Sequence, residues 1–424
     1  MEDKMPGFLA ALQHRFQRSN EKYGDFVPWA LDDKLAAYDY VNARSFAVPR
    51  HQRTSTASEA IRIGREFGRM FVVKESHRHS TNGVYVIEVL NDDVMLDYIS
   101  LRPITLAEIE KKALRRDGSY WFVEECLCPT MAGIKIPLDY KLYTFKGRVA
   151  LVIQIDRNSY PPRVAMFDGA WFPLEVGHHL DFDEKRMVSG KHVLPLYAPR
   201  LTTMARHLSR ELDTAFVSVD CYDTINGPVF GEFTFAPGAP HVKSVKFNQD
   251  IIEKLDKAMA GEAFSAFSGI DVNTERLWAT FEDCDAPITD CSPEIYSRWA
   301  FAASLGDKRY GRLMTASAKS EIQRHFALCS SAIGRINGDF EMSFSLARAA
   351  ILRRDFVNGS SRSEQFYAEA MAHYERLDVP WARARQAELR LMSGDESARN
   401  EIMKIAETGY GYAIRLLDAL EKNR

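Results

Sequence analysis

Two stretches of the chain read as strand, tight turn, strand, and they restrict its fold more than any other feature. Residues 139–145 (DYKLYTF) and 148–156 (RVALVIQID) meet at Lys146-Gly147, while 216–222 (FVSVDCY) and 228–235 (PVFGEFTF) flank Ile225-Asn226-Gly227. Connections this short make neighbouring strands antiparallel, because a parallel pair needs a crossover of a dozen residues or more.

Further strands are expected at 70–74 (MFVVK), 84–90 (VYVIEVL) and 120–127 (YWFVEECL), alternating with single helices at 34–43, 58–68, 106–116 and 201–212. Either Asp32 or Asp33 can cap the first of these helices, and Val48-Pro49 starts an extended stretch. Residues 157–195 are polar, proline-rich and contain Trp171. From about Ser292 onward β-branched runs disappear, alanine becomes frequent and apolar residues recur at helical spacing, as in FYAEAMAHYERL and SARNEIMKIAE. Antiparallel helix pairs are expected there, either a tetratricopeptide-like array or a plain bundle. The expected organisation is an N-terminal segment with short helices (1–55), a small lobe (56–127), a larger lobe (128–265), a linker (266–290) and a helical domain (291–424).

Composition removes several function classes. A chain of 424 residues exceeds the size of one growing core. Its net charge of −3 gives no electrostatic reason to expect nucleic acid or an anionic membrane as partner. No window approaches about 18 uninterrupted apolar residues, and the opening MEDKMPGFLAALQHRF lacks a small-residue cleavage site, so a cytoplasmic protein without membrane insertion is expected. Six cysteines without a C-x-x-C pair speak against a disulfide framework and a zinc ribbon. Cys126-x-Cys128 is read as strand packing, and His77-x-His79 as a polar loop with no third metal ligand. No G-x-S-x-G, P-loop or dinucleotide fingerprint is present.

The stretch 216–235 carries the most chemical information. If its turn is the three-residue loop Ile225-Asn226-Gly227, Thr224 faces Pro228, Tyr222 faces Phe230 and Asp220 faces Glu232. Two carboxylates so placed repel, and a divalent cation with oxygen ligands, magnesium above all, relieves them. A two-residue Asn-Gly turn would instead send them to opposite faces. Spacing alone also allows a solvent-exposed ribbon whose acids keep it soluble. Lys74 ends a strand ahead of a loop with Ser76, Ser80, Thr81 and Gly83, a composition suited to phosphate. Lys141 shares a strand face with Asp139 and Tyr143. Glu124 and Glu125 stand where a strand would cross between lobes, in reach of an adenine and a ribose.

Taken together, PLDYKLYTFKGRVALVIQIDR (137–157) and FVSVDCYDTINGPVFGEFTFAPG (216–238) resemble the ATP-grasp superfamily, and within it the TupA-like group linked to surface-polysaccharide biosynthesis. The resemblance spans about 30–260 and stops short of the helical region. It implies an α+β ATP-grasp fold, two lobes with antiparallel sheets clasping Mg-ATP, followed by an all-α C-terminal domain. Carried over by position, Lys34 and Lys74 resemble phosphate-contacting lysines, and Ser76 and Lys141 join them around the nucleotide. Glu124 or Glu125 would hold adenine and ribose, and Asp220 and Glu232 would carry Mg2+. Thr234 stands where the family commonly has asparagine as third metal ligand. Ser218 replaces a frequent arginine, whose charge Arg157 would supply from another strand; Arg157 and Lys141 are the expected catalytic residues.

The implied activity is that of an ADP-forming carboxylate–amine ligase. ATP phosphorylates a carboxylate, and an amine donor attacks the acyl phosphate to form an amide. The implied acceptor is a small-molecule or glycan-linked carboxylate, a uronic or amino acid in a polysaccharide or peptide precursor. Phosphoryl transfer to a hydroxyl, or an inactive nucleotide-binding scaffold whose helical domain recruits partners or dimerises, are the alternatives. Residues 157–195, with Tyr160, Trp171 and His178-His179, are read either as a wall of the acceptor pocket or as a stiff surface loop.

Overall fold

Local capping and apolar spacing place the helices, and β-branched alternation places the strands. The computed structural model describes residues 6–267, apart from short internal stretches, and parts of 371–420. The chain divides into two compact units, Met1–Arg50 with Leu127–Arg335 and His51–Cys126 with Ile336–Arg424.

The first unit begins with α1 (Phe8–Phe16) and α2 (Lys34–Asn42). Of the two candidate caps, Asp33 is used: its carboxylate accepts from the backbone N–H of Leu35 and Ala36. The chain then leaves this unit to form the second.

There β1 (His51–Thr54), α3 (Ala57–Phe67), β2 (Met70–Glu75), β3 (Val84–Val89), β4 (Met95–Asp97), β5 (Arg102–Ile104), α4 (Leu106–Lys112) and β6 (Trp121–Glu125) follow in order. All neighbours are antiparallel in a six-stranded sheet ordered β1-β6-β2-β3-β4-β5. Thr56 caps α3 through the N–H of Glu59, and Thr105 with Glu108 forms a capping box on α4. Ala60, Ile61 and Ile63 of α3 lie in one core with Phe71, Val73, Ile87 and Val123 of the sheet. Gly64 permits this approach, since a Cβ there would stand 2.2 Å from the Phe71 ring.

Back in the first unit come β7 (Asp139–Phe145), β8 (Arg148–Asp156), β9 (Arg163–Asp168), β10 (Pro173–Leu174), β11 (Leu180–Phe182), β12 (Val188–Ser189), α5 (Ala198–Glu211), β13 (Val217–Thr224), β14 (Gly227–Thr234), β15 (Val245–Phe247) and α6 (Gln249–Met259). The main sheet runs β10-β9-β8-β7-β13-β14, with β12 parallel to β9. Helix α5 packs on β7, β8 and β13. The face bearing Tyr143, Ile153 and Met166 is covered by Phe8 and Leu12 of α1 and by Ile251 and Leu255 of α6.

Two expectations need correction. Residues 157–195 are not simply a loop, because β9 runs within them as a strand of the main sheet, between β8 and the short edge strand β10. Trp171 is fully buried, donates Nε1–H to Thr202 Oγ1 at 2.9 Å and packs on Tyr140 and Phe167. It is core, not the lining of an acceptor pocket; the polar and proline-rich flanks masked a short apolar strand. Cys126 and Cys128 lie beyond the end of β6, with Cys128 exposed, so they do not pack as alternating strand residues.

His77, His79, Ser80, Thr81, Tyr160 and most of 266–424 lie outside the described residues. From the expected helical region α7 (Pro380–Met392) and α8 (Ala398–Glu407) are described, and Ala384, Ala387, Ala398, Ile402 and Ile405 share a small core. Among the described residues no helix is long and apolar enough to cross a membrane.

Candidate functional site

The hairpin of β13 and β14 sets two carboxylates side by side, by a different route from the one expected. Its turn has two residues, Ile225 and Asn226, so Thr224 pairs with Gly227, Asp223 with Pro228, Tyr222 with Val229 and Cys221 with Phe230. Gly227 takes the left-handed conformation at φ 102°. Continued unbroken, this register would put Asp220 and Glu232 on opposite faces. A bulge between Asp220 and Cys221 leaves Gly231 unpaired and restores Asp220 opposite Glu232. Gly231 tolerates the bulge because it lacks a Cβ, which would stand 2.9 Å from the Tyr222 ring and 3.1 Å from the Asp220 carbonyl oxygen.

On the other side of β13, β7 places Lys141 directly opposite Asp220. Lys141, Asp220 and Glu232 therefore form a row across three strands. Lys141 forms ion pairs with Asp220 and, at 3.3 Å, with Asp139 on its own strand face. Arg157, just past β8, reaches Asp139 Oδ2 through Nη2 at 3.2 Å. Lys34, in the first turn of α2, pairs with Glu232. Ser218 donates its hydroxyl to Asp220 Oδ1 at 2.6 Å, and Thr234 donates to Oδ2 at 3.2 Å. No cation stands at position 218, but Lys141 brings one to the same carboxylate from the adjacent strand, while Arg157 is held by Asp139.

Burial shapes the charges. Asp220 is 1% exposed, and its carboxyl is pushed up to about 7 by desolvation, with Asp139 and Glu232 adding to the rise and Lys141 opposing it. Burial alone would weaken the hold of Lys141 on its proton, but the surrounding carboxylates Asp139, Asp220 and Glu232 outweigh this and raise its pKa. The Tyr143 hydroxyl is likewise raised, by burial first and then by the charge of Asp220.

The second unit holds a separate pair. Val72 is registered with Glu124 and Lys74 with Phe122, so Lys74 and Glu124 are diagonal neighbours on one sheet face. The Lys74 ammonium reaches both Glu124 oxygens, at 2.7 and 2.5 Å, and both side chains are buried. Glu125 is registered with Phe71 on the opposite face and is half-buried. The Ser76 hydroxyl accepts from the N–H of Tyr120 at 2.9 Å and so ties the ends of β2 and β6.

Within the first unit, then, Lys34, Lys141, Arg157, Asp220, Glu232 and Thr234 are brought together, and within the second Lys74 and Glu124. Asp139 joins the first cluster without having been singled out as a site residue, although its alternation with Lys141 was visible in the sequence.

The family model for TupA-like ATP-grasp proteins matches residues 11–258, more than half of the chain. The chain belongs to the TupA-like ATP-grasp family. The matched range includes every element that carries the two clusters. Similar solved structures are the ATP-grasp ligase PsnB complexed with minimal precursor (11% identity, TM-score 0.29, 49% of this chain and 53% of that one) and D-alanine–D-alanine ligase from Helicobacter pylori (14%, 0.33, 55% and 58%). The ADP complex of purK, N5-carboxyaminoimidazole ribonucleotide synthetase, is a third (10%, 0.33, 61% and 59%). The chain spans little more than half the length of each. No curated protein matches it.

For a family named after ATP, the question is whether these side chains suit a nucleotide and its metal. Among the described residues no three His, Cys, Asp or Glu side chains are close enough to hold a metal ion alone. Two adjacent carboxylates and a hydroxyl do suit a hard cation that takes its remaining ligands from phosphate and water.

Proposed function

We propose that this TupA-like ATP-grasp protein is a cytoplasmic, ATP- and Mg2+-dependent carboxylate–amine ligase acting on a surface-polysaccharide or peptide precursor. The observation that carries this reading is the row Lys141–Asp220–Glu232, buried at its centre and extended by Lys34 and Arg157. Asp220 and Glu232, assisted by the Thr234 hydroxyl, would hold Mg2+ against the ATP phosphates. Mg-ATP, when bound, supplies the phosphoryl group that activates the acceptor carboxylate as an acyl phosphate.

The protein's own contribution is positioning and charge. Lys34 and Lys141 move from their carboxylates to phosphate oxygens, and Arg157 neutralises charge on the transferred group. Lys74 is assigned to phosphate, with Glu124 orienting it or meeting the nucleoside. Ser76 ties two strand ends and Glu125 lies on the sheet face opposite Lys74, so neither shares the Lys74–Glu124 contact. The amine then attacks the acyl carbon and expels phosphate, giving the amide.

Thermal unfolding of the wild type and of Glu232→Gln, with and without Mg-ATP, tests the site. At a hundredfold excess over its dissociation constant the ligand stabilises the native state by about 2.7 kcal/mol. A magnesium-dependent rise in midpoint that the variant loses is expected; no rise in the wild type removes the ATP site. Hydroxylamine with a panel of carboxylates then tests the chemistry. A hydroxamate is the expected product, whereas ADP release onto a hydroxyl acceptor without hydroxamate would identify a phosphotransferase.

A further inference from the structure

Charge counting around Asp220 suggests how the metal is admitted, given the ATP-grasp reading above. Three carboxylates, Asp139, Asp220 and Glu232, are interleaved with three cations, Lys34, Lys141 and Arg157, through the ion pairs already described. With all six side chains ionised the formal charges cancel, and a proton retained on Asp220 leaves the cluster positive. The centre is also dry: the side chains of Asp139 and Asp220 are 5% and 2% exposed. One oxygen of Asp139, Oδ1, is buried with no hydrogen-bond partner among the described residues. Its other oxygen, Oδ2, meets both Lys141 and Arg157, so Asp139 is held in the cluster through that one oxygen while Oδ1 bears an uncompensated desolvation cost.

A divalent cation entering alone would add two positive charges to a balanced cluster that is buried at its centre, beside two lysines and an arginine. A polyphosphate entering with it supplies compensating negative charge and gives the displaced ammonium groups new partners. We propose that Asp139, Lys141 and Arg157 balance the Asp220–Glu232 pair so that the site rejects a free divalent cation and accepts it only as a complex with a nucleotide polyphosphate. Asp139 is in this view a positioning residue, which holds Lys141 and Arg157 and sets the net charge. By linkage, nucleotide and metal raise each other's affinity by the same factor.

The test is binding of Mn2+ to the full chain, read from the electron paramagnetic resonance signal of the free ion, without and with ADP. The wild type should bind Mn2+ weakly alone and much more tightly with ADP. Lys141→Gln removes one positive charge, so Mn2+ alone should bind about tenfold more tightly while ADP binds more weakly, as expected for charges a few ångströms apart. Arg157→Gln, at the more exposed edge of the cluster, should move Mn2+ affinity in the same direction and does not depend on the core tolerating Lys141→Gln. Asp139→Asn should weaken Mn2+ binding, and Asp139→Asn with Lys141→Gln should return it to the wild-type value.

A packing defect would not give changes of opposite sign that cancel in the double variant. The inference is overturned if both Gln variants leave Mn2+ affinity unchanged or lower while the wild type still binds the ion with ADP. It is also overturned if the wild type binds Mn2+ equally well without nucleotide. If the wild type holds no Mn2+ even with ADP, the ATP-site reading itself fails, and this inference with it.

Discussion

Arg15 is fully buried and anchors the end of the hairpin that carries the acids. Its guanidinium forms a fork with Asp25 at 2.6 and 2.8 Å and donates to the carbonyls of Phe216 and Phe235 at 2.8 and 2.9 Å. Arg15→Met should therefore cost about 3–5 kcal/mol, because it strands the buried Asp25 carboxylate and removes a donor from each of two carbonyls; urea unfolding measures it. Asp220 offers a second test, in metal-free protein with a chelator. Its carboxyl holds a proton up to about 7 in the fold, against an ordinary value of 3.8. The folded state thus binds more protons across that window. The associated stability is complete below about 3.8 and is lost as pH rises through about 7. Asp220→Asn should flatten this part of the profile, so urea midpoints at pH 5 and pH 8 should lie closer together in the variant than in the wild type.

The hairpin shows what elements add to residues. That Asp220 meets Glu232 is legible from the alternation of the strands, but the reason offered by the turn is wrong. A two-residue turn and a bulge at Gly231 together reach the register that a three-residue loop alone would give. The bulge depends on the Tyr222 ring and the Asp220 carbonyl lying against Gly231, contacts that no spacing rule reports. Gly231→Ala should therefore disturb the site more than the fold. A stability loss of roughly 1–3 kcal/mol is expected for overpacking, together with loss of the magnesium-dependent thermal shift; a variant that keeps the full shift would show that the bulge does not position Glu232. The strands at 70–74, 84–90 and 139–156 were readable because β-branched runs, or in 139–145 aromatic residues, dominate them, as was the helix at 34–43 with its aspartate cap. Helix α6 was equally legible, with its Asn248 cap and Ile251, Leu255, Ala258 and Met259 at helical spacing, but strand β9 was not, since polar neighbours dilute its apolar residues and only tertiary packing selects its face.

At the scale of the whole molecule, each unit has its own apolar core. Gly64→Ala would drive a methyl group into the Phe71 ring and should lower amide protection in β2 and β6, read by hydrogen exchange with mass spectrometry. Protection in β7 and β13 should stay unchanged; a parallel loss there would show that the cores open together. The first unit is also interrupted, since its opening helices precede the whole of 51–126 in the chain. Arg15 lies 201 residues from Phe216 and 220 from Phe235, and Lys34 lies 198 from Glu232. A ribosome adding about 5–20 residues per second needs roughly 10–40 s to cover such a distance. Throughout that interval α1 and α2 must wait, while the inserted strands have all their sheet partners once Glu125 has been added, about halfway through it. The nascent chain thus completes the inserted sheet early and the acidic row late, which makes the unpartnered opening helices the segment most in need of a chaperone's protection during synthesis.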